Sequence, residues 1–430
     1  MIERLFKLKE RGSDIKTEVI AGLTTFLTMV YIIFVNPNML ASTGMDQGAV
    51  FVATCLAAAL GSLVMGLYAN YPIALAPGLG LMAFFSFTVV GQMGYSWQVA
   101  LGAVFLSGCS FFLLSIFKIR EWIINSIPVS LRAGIAAGVG LFLGFIALQS
   151  AGIVVDNPGT LVTLGDMATW PAMMTALGTL LIVALYSRNI TGAVIIGILA
   201  VTVVSVLAGK VEFNGVISPP PSIAPTFMAM DLSGAFEVGL ISIVFSFLFV
   251  DLFETSATLI AVAQKGKLLD KDNKLPHLGR AMMADSVASM AGAGLGSSTT
   301  TSYAESIAGI LAGGRTGLTA VVVGLLFLAC LFISPLASIV PPYATAPALM
   351  FVAVLMTHSL VHIDWDDITE AAPVVIAAVS IPLSFSIATG IAFGFIAYTG
   401  IKLLSGRYQE VSPTMYILFV LSLLKLAIFN

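Results

Sequence analysis

Apolar runs of 17 or more residues recur along this chain from about residue 18 to its C-terminal end, separated by short polar segments. As a helix, a run of that length crosses about 30 Å of hydrocarbon. The pattern predicts an all-α integral membrane protein with about 14 transmembrane segments. The predicted spans are 18–40, 48–68, 72–91, 97–117, 128–150, 168–187, 190–208, 236–263, 278–292, 297–313, 316–338, 342–358, 366–383 and 386–404. A further apolar stretch, 413–429, either spans or lies against the bundle.

Composition and charge placement agree with this class. The chain is 58% hydrophobic and 10% charged, whereas soluble domains carry about 25% charged residues. Residues 1–16 are charged and amphipathic, unlike a signal peptide, so we expect the first span to be kept. Basic residues fall on one side of alternating spans, which predicts a cytoplasmic N-terminus in a bacterial inner membrane. They are Arg4, Lys7, Lys9, Arg11, Lys16, Lys118, Arg120, Arg188, Lys265, Lys267, Lys271, Lys274, Arg280, Arg315, Lys402 and Arg407; Lys210 is the exception.

Two apolar segments carry carboxylates. Asp251 and Glu254 lie within 245–263, and Glu305 lies within 297–310. A charge at bilayer depth costs about 2.5–3.5 kcal/mol, so such residues usually face a cavity and have a function. The three acids therefore predict a solute site inside a membrane transporter. Because an acid of this kind can change its protonation state during transport, all three are also candidates for coupling uptake to protons.

On a helix, Phe247, Asp251, Glu254 and Thr258 share one stripe. An aromatic ring beside carboxylates suits a flat polar ring, which stacks on the aromatic ring while the acids accept from its N–H groups. The alternative is structural: Asp251 or Glu254 pairs with a neighbouring group. We expect Asp285, in span nine, to lie half-solvated near the cytoplasmic end.

Spans three and ten are each predicted to be broken. Pro77 favours an extended Ala76 before a helix start, and the β-branched run 299–301 favours an extended backbone before a helix-compatible segment. Half-helices beginning near Pro77 and Ser302 would offer free N–H donors to a substrate. Glu305 would then accept from a ring N–H; alternatively it bonds structurally to the hydroxyls of 297–302.

The two halves of the chain have similar local sequence patterns. Spans three and ten, five and twelve, and seven and fourteen share local patterns, which predicts two inverted repeats of seven spans that meet at broken helices. Similar Gly/Ala-rich composition is the alternative explanation.

Other chemistry is not indicated. Cys55, Cys109 and Cys330 are scattered in apolar spans, without a disulfide or metal framework. We expect no metal, no cofactor, no nucleic acid partner and no enzymatic activity. The string HIDWDDITE, 362–370, is typical of a helix N-terminus, and LDKDNK, 269–274, lacks the glycine and distal glutamate of a calcium loop.

The chain resembles the AzgA-like purine permeases of the nucleobase–ascorbate transporter superfamily. The segments that carry the resemblance are EVIAGLTTFLTMVYIIFVNP, YPIALAPGLGL, DLFETSATLIAVAQK, TTTSYAESIAGI and GGRTGLTAVVVGLLF. The resemblance implies proton-coupled import of adenine, hypoxanthine or guanine by an elevator-like motion. It implies a cytoplasmic N-terminus, 1–17; core domains, 18–118 and 236–338; gate domains, 119–209 and 339–406; an extracytoplasmic loop, 210–235; and a C-terminal segment, 407–430. A homodimer is left open.

By the same resemblance, Glu254 is the main base-binding acid, Glu305 is the acid of span ten, and Ala304 offers its backbone. Gly80, Met82 and Ser302 complete the candidate substrate site. Relatives often have Asn in place of Met82, and Asp and Gly in place of Glu254 and Ala257. Because methionine lacks the hydrogen-bonding groups of an amide, this difference predicts altered base preference. The alternatives are an anion transporter or a channel of the same architecture.

Overall fold

The computed structural model describes residues 2–117, 126–213, 215–236, 238–266, 268 and 278–428. The basic residues Lys118, Arg120, Lys267, Lys271 and Lys274, and the loop 269–274, lie outside the described residues.

The described chain is mainly helical. Its α-helices are α1 Ile2–Phe6, α2 Ile15–Met29, α3 Ile32–Ala41, α4 Gln47–Val64, α5 Leu79–Ala83, α6 Trp97–Ile116, α7 Val129–Ser150, α8 Trp170–Ser187, α9 Ala193–Leu207, α10 Leu232–Ala235, α11 Val238–Lys265, α12 Leu278–Leu295, α13 Ser306–Leu311, α14 Gly317–Cys330, α15 Ser334–Ile339, α16 Pro342–Thr357, α17 Ile368–Ser384, α18 Ile387–Leu404 and α19 Pro413–Ile428. π-Helical segments, Met65–Ala69 and Phe84–Gln92, continue α4 and α5.

Eight helices in the described part of the chain are long and apolar enough to cross a membrane. They are Ile15–Ala41, Gln47–Ala69, Trp97–Ile116, Val129–Ser150, Trp170–Ser187, Gly317–Ile339, Pro342–Val361 and Ile387–Leu404. Shorter apolar helices lie between them. The protein is therefore a multi-pass membrane protein. The count of 14 crossings and the seven-plus-seven repeat stay predictions.

Polar residues at helix starts set several boundaries. The side chains of Asp14, Asp46, Ser96 and Ser386 each accept a hydrogen bond from a backbone N–H of the first turn that follows, which satisfies a donor that the helix leaves unpaired. Asp367 does the same for α17 through Thr369 N. The expected helix start in HIDWDDITE is thus confirmed.

Two short strands cross at the centre of the bundle, as the extended-favouring residues predict. β1, Leu75–Pro77, pairs antiparallel with β4, Thr300–Ser302, and Ala76 lies opposite Thr301. The Gly78 and Tyr303 amides extend the pairing, at 2.9 Å to Thr299 O and 3.0 Å to Ala74 O. Such irregular backbone is tolerated at membrane depth only where protein surrounds it and satisfies its polar groups, and all six strand residues are buried.

A second strand pair corrects the all-α expectation. β2, Val154–Asn157, and β3, Leu161–Leu164, form an antiparallel hairpin after α7. The hairpin is mostly exposed, so it buries no apolar face that periodicity would reveal.

Glycines on α7 allow close packing against α16 and α17. A Cβ at Gly138 would lie 2.5 Å from Ile381 Cδ1 and 2.9 Å from Ala378 Cα. Gly134 meets α17 at Val374 in the same way. Because lipid gives helices no hydrophobic drive to associate, such small-residue contacts hold membrane helices together.

Candidate functional site

Helix α11 presents the predicted stripe, but the environment changes along it. Phe247 is fully buried, with its ring edge-on to Phe84 at 4.9 Å between centroids. Asp251 is also buried, whereas Glu254 and Thr258 are partly exposed. The part of the stripe with Phe247 and Asp251 is therefore buried in the bundle, and the part with Glu254 and Thr258 is partly exposed.

A buried polar cluster joins α11 to α12. Thr255 Oγ1 lies 3.0 Å from Asp251 Oδ1 and 3.1 Å from Asp285 Oδ2. Ser302 of β4 donates to Asp285 Oδ1 at 3.4 Å. The cluster ties both helices to the crossing strands.

The expectation for Asp285 was wrong. Its side chain is fully buried rather than half-solvated. Helix α12 runs through the interior of the bundle, where Ala281, Ala284 and Ala288 around Asp285 are also fully buried. The position of Asp285 near the cytoplasmic end of the predicted span nine therefore did not predict its burial.

Glu254 lies against the start of α5. The backbone N–H of Gly80 is directed at its carboxylate, and a Cβ at either Gly78 or Gly80 would lie 3.4 Å from a Glu254 oxygen. Glu254 Oε2 has no hydrogen-bond partner among the described residues. A buried oxygen without a partner is costly, so this atom is suited to accept from a ligand.

Glu305 lies at the position before α13, beside the exposed Ala304. The Tyr31 hydroxyl donates to Glu305 Oε1 at 2.6 Å. Tyr303 donates to Pro77 O at 2.5 Å and so locks β4 to β1. Both tyrosine rings are almost completely buried.

The crossing therefore brings several predicted residues together. Glu254 lies against Gly80 in α5, and Thr258 lies one turn after Glu254 on α11. Glu305 stands between Ala304 and α13, and the two half-helices follow the paired strands β1 and β4. Phe247, Met82, Asp251 and Ser302 are buried around this centre. The half-helices begin at Leu79 and Ser306, a few residues later than predicted.

Sequence reasoning missed Tyr31 and Tyr303. Tyr303 stands directly before Ala304 and Glu305, so its position next to a predicted acid was a usable signal. Tyr31 lies in the break between α2 and α3, within an apolar run. Its sequence neighbours give no sign that its hydroxyl bonds a carboxylate.

The described residues contain no group of three His, Cys, Asp or Glu side chains that could hold a metal ion. Cys55 and Cys330 are buried and free. An open cavity of about 330 Å³ lies elsewhere, bordered by Pro37, Phe51 and Pro221.

Broken helices that cross at paired acids inside an apolar bundle define a membrane transporter. A family model described as "Permease family" matches residues 16–393, and the chain belongs to this family. It is 51% identical over 426 residues to the adenine permease AdeP of Escherichia coli (strain K12), covering 99% of this chain and 96% of that protein. The guanine/hypoxanthine permease PbuG of Bacillus subtilis (strain 168) is 46% identical, over 98% of this chain and 99% of that one. The resemblance drawn from the sequence is confirmed, and the protein is a transporter, not an enzyme.

Solved structures share the fold. The transmembrane domain of the cyanobacterial bicarbonate transporter BicA aligns with a TM-score of 0.67 at 13% identity, covering 88% of this chain and 97% of that chain. The murine Slc26a9 anion transporter, in an inward-facing state, aligns with a TM-score of 0.66 at 13% identity, covering 92% and 68%. At this identity the likeness concerns the fold alone.

Proposed function

We propose that this protein is a secondary active transporter that imports purine nucleobases: adenine, hypoxanthine or guanine. The observation that carries the proposal is the position of two carboxylates at the half-helices that follow the paired strands β1 and β4. Glu254 lies against Gly80 in α5, and Glu305 stands directly before α13. Carboxylates only accept hydrogen bonds when ionised, and purines present N–H donors in one plane. The names of the adenine and guanine/hypoxanthine permeases support this substrate class.

In the proposed complex the base lies between the two acids. Glu254 Oε2 accepts from one N–H of the ring, because no described protein group occupies it. Tyr31 occupies Glu305 Oε1, which leaves Oε2 for a second N–H. At the start of α13 the amides of Ser306 and Ile307 already donate to the carbonyls of Tyr303 and Ala304. We therefore assign the recognition of a carbonyl or ring nitrogen to the backbone of the exposed Ala304.

Anion transport is the alternative that the fold likeness brings forward, since BicA and Slc26a9 are named as bicarbonate and anion transporters. Two ionised carboxylates at the crossing repel an anion. Glu254 and Glu305 therefore favour a neutral heterocycle with N–H donors.

We further propose that transport is proton symport. Glu254, Asp251 and Glu305 are the candidate carriers, and Glu254 is our first choice because it is partly exposed and interacts with both Asp285 and Glu305. One proton bound here reduces the repulsion among these acids, and it would cross together with the base.

We propose an elevator-like motion of the core, 18–118 and 236–338, against the gate, 119–209 and 339–406. The glycine contacts of α7 with α16 and α17 support a gate that moves as one body. The N-terminus is placed in the bacterial cytoplasm. In support, Arg11 Nη1 donates to both Asn70 O, at 2.7 Å, and Arg315 O, at 3.2 Å, so three segments predicted to be cytoplasmic meet on one face.

Binding of adenine, guanine, hypoxanthine, xanthine and uracil to purified protein, measured by thermal shift and calorimetry, tests the substrate class. Glu254→Gln and Glu305→Gln should each weaken purine binding by about tenfold or more, since a hydrogen bond to a charged group is worth roughly 1.5–3 kcal/mol. Glu212→Gln, at an exposed loop position, is the matched control. Wild-type affinity in both site variants, or no response to any purine, would contradict the proposal.

Proton coupling needs a separate measurement. Uptake of radiolabelled purine into proteoliposomes, with the proton gradient clamped at different values, should follow the gradient. Flux indifferent to the gradient would rule out symport and leave the binding assignment untouched.

A further inference from the structure

The C-terminal helix α19 returns antiparallel along α18. Lys425, in the last turns of α19, donates from Nζ to Thr389 Oγ1 at 3.3 Å, and Thr389 lies in the first turn of α18. The face of α19 turned away from the protein is apolar: Ile417, Val420, Leu423 and Leu424 are exposed. This exposed apolar face is suited to lipid, so α19 belongs to the membrane-embedded part of the protein.

A shallow groove of about 40 Å³ lies where α18 and α19 meet α11. Phe249 and Phe395 are buried in its floor, whereas Phe245 of α11 and Leu421 of α19 are exposed along it. Helix α19 also contributes Ser422 and Lys425. The groove is thus an apolar surface with a hydroxyl group and one amine at one end.

The amine of Lys425 has no counter-charge. Within the described ranges, the only polar partner of this side chain is the neutral Thr389 hydroxyl, and no carboxylate lies within ion-pair distance. Ionisable residues in membrane segments normally pair. Lys402, on the same helix α18, shows the usual solution, since it pairs with Glu370 at 2.8 Å.

The position of the amine points to the headgroup region. Helix α18 begins at Ile387 and α19 ends at Ile428, so Lys425 lies near the end that both helices share. A lysine near a helix end extends its amine to the membrane interface, where lipid phosphates lie.

We propose that this groove binds one anionic phospholipid, with its phosphate on Lys425 and an acyl chain along the exposed side chains of Phe245 and Leu421. Charge complementarity selects the headgroup, and the apolar surface accepts the chain. The site lies outside the purine-binding crossing and does not depend on the proposed substrate. Because it touches α11, which carries Glu254, and α18, lipid occupancy bridges helices of the core and the gate.

The competing explanation is that Lys425 only compensates the carbonyl end of the α19 dipole. That role needs a positive charge at the helix end but no particular lipid. Lipid selectivity therefore distinguishes the two explanations.

The experiment compares purified protein in nanodiscs of phosphatidylglycerol and of phosphatidylcholine with identical acyl chains. Native mass spectrometry counts the lipids retained on release, and melting is followed in both lipids. Wild type should retain one phosphatidylglycerol and melt higher in that lipid. Lys425→Gln should lower the retained phosphatidylglycerol by about tenfold, because a charge-assisted contact is lost, and should abolish the melting difference.

Two further variants complete the test. Ala388→Phe fills the groove without touching the amine and should also remove the retained lipid. Lys16→Gln, an exposed basic residue at the start of α2, should keep it. Equal phosphatidylglycerol retention in Lys425→Gln and wild type, absence of a lipid preference in wild type, or retention of a free fatty acid instead would each overturn the assignment.

Discussion

The Tyr31 hydroxyl lies 2.6 Å from Glu305 Oε1 and donates to it. The two residues are 274 positions apart, in the break between α2 and α3 and at the start of α13. This single hydrogen bond fixes one carboxylate oxygen of Glu305 and so limits the orientation of the whole carboxylate. The orientation of a proposed binding acid thus depends on a residue of the first span.

Tyr31→Phe should therefore weaken purine binding while the fold is kept. The loss of one hydrogen bond to a charged acceptor costs roughly 1.5–3 kcal/mol in the bound arrangement, about a tenfold or greater loss of affinity. Calorimetric titration measures this loss. Tyr416→Phe makes the same chemical change at an exposed hydrogen bond to Tyr408 O and should bind as wild type does. Unchanged affinity in Tyr31→Phe would show that Glu305 needs no support from the first span.

Thr255→Val should destabilise the folded protein. The Thr255 hydroxyl lies between the carboxylates of Asp251 and Asp285, and valine leaves these buried groups without it. The expected cost is about 1–3 kcal/mol, seen as a lower melting temperature. The control is Thr202→Val, where the buried hydroxyl bonds only the Ile198 carbonyl of its own helix. If both variants melt at the same temperature, the contacts of the Thr255 hydroxyl with Asp251 and Asp285 stabilise the protein no more than an ordinary buried hydroxyl does.

Gly138→Ala should destabilise the α7–α17 contact. The added Cβ would lie 2.5 Å from Ile381 Cδ1 and 2.9 Å from the Ala378 backbone, so the helices must separate at a cost of about 1–3 kcal/mol. Gly400→Ala, within α18, meets nothing within 4 Å and should be neutral or slightly stabilising because alanine favours helix. Thermal melting compares the pair, and equal stability would argue against tight packing at Gly138.

The cap of α17 should make stability depend on pH. The side-chain and backbone hydrogen bonds from Thr369, together with Arg407, lower the pKa of Asp367 to about 2. Because the folded pKa lies below the ordinary value of 3.8, this contribution is present above that value and is lost as pH falls through about 2. Asp367→Asn should melt below wild type at pH 7, and the gap should close as pH falls below 4. Asp366→Asn, at its exposed neighbour, should show no such trend; a gap that stays constant with pH would contradict the assignment.

Sequence pattern was sufficient for much of the helical content and for the break in two predicted spans. Apolar length predicted helices, and eight helices among the described residues are long and apolar enough to cross a membrane; the count of 14 crossings stays a prediction. Pro77 and the run 299–301 predicted the extended segments, because both signals are local. The hairpin Val154–Asn157/Leu161–Leu164 was missed since its residues are largely exposed and follow no membrane pattern.

The site was predictable only in part for a related reason. Glu254 and Glu305 are visible as charges in apolar runs. Their partners are not, since contacts such as Tyr31–Glu305 join distant parts of the chain. Glu18 illustrates the limit: it is fully buried and accepts from the Arg315 amide at 2.9 Å and from Thr319 at the start of α14. No residue near position 18 in the sequence predicts these contacts with the start of α14.

The pairing of β1 with β4 bears on how the protein is made. Leu75–Pro77 finds its ladder partner only at Thr300–Ser302, about 220 residues further on, which is roughly 10–45 s of synthesis at 5–20 residues per second. Throughout that interval strand β1 has been synthesised, but its partner β4 has not. The paired strands at the centre of this transporter can therefore form only late in translation.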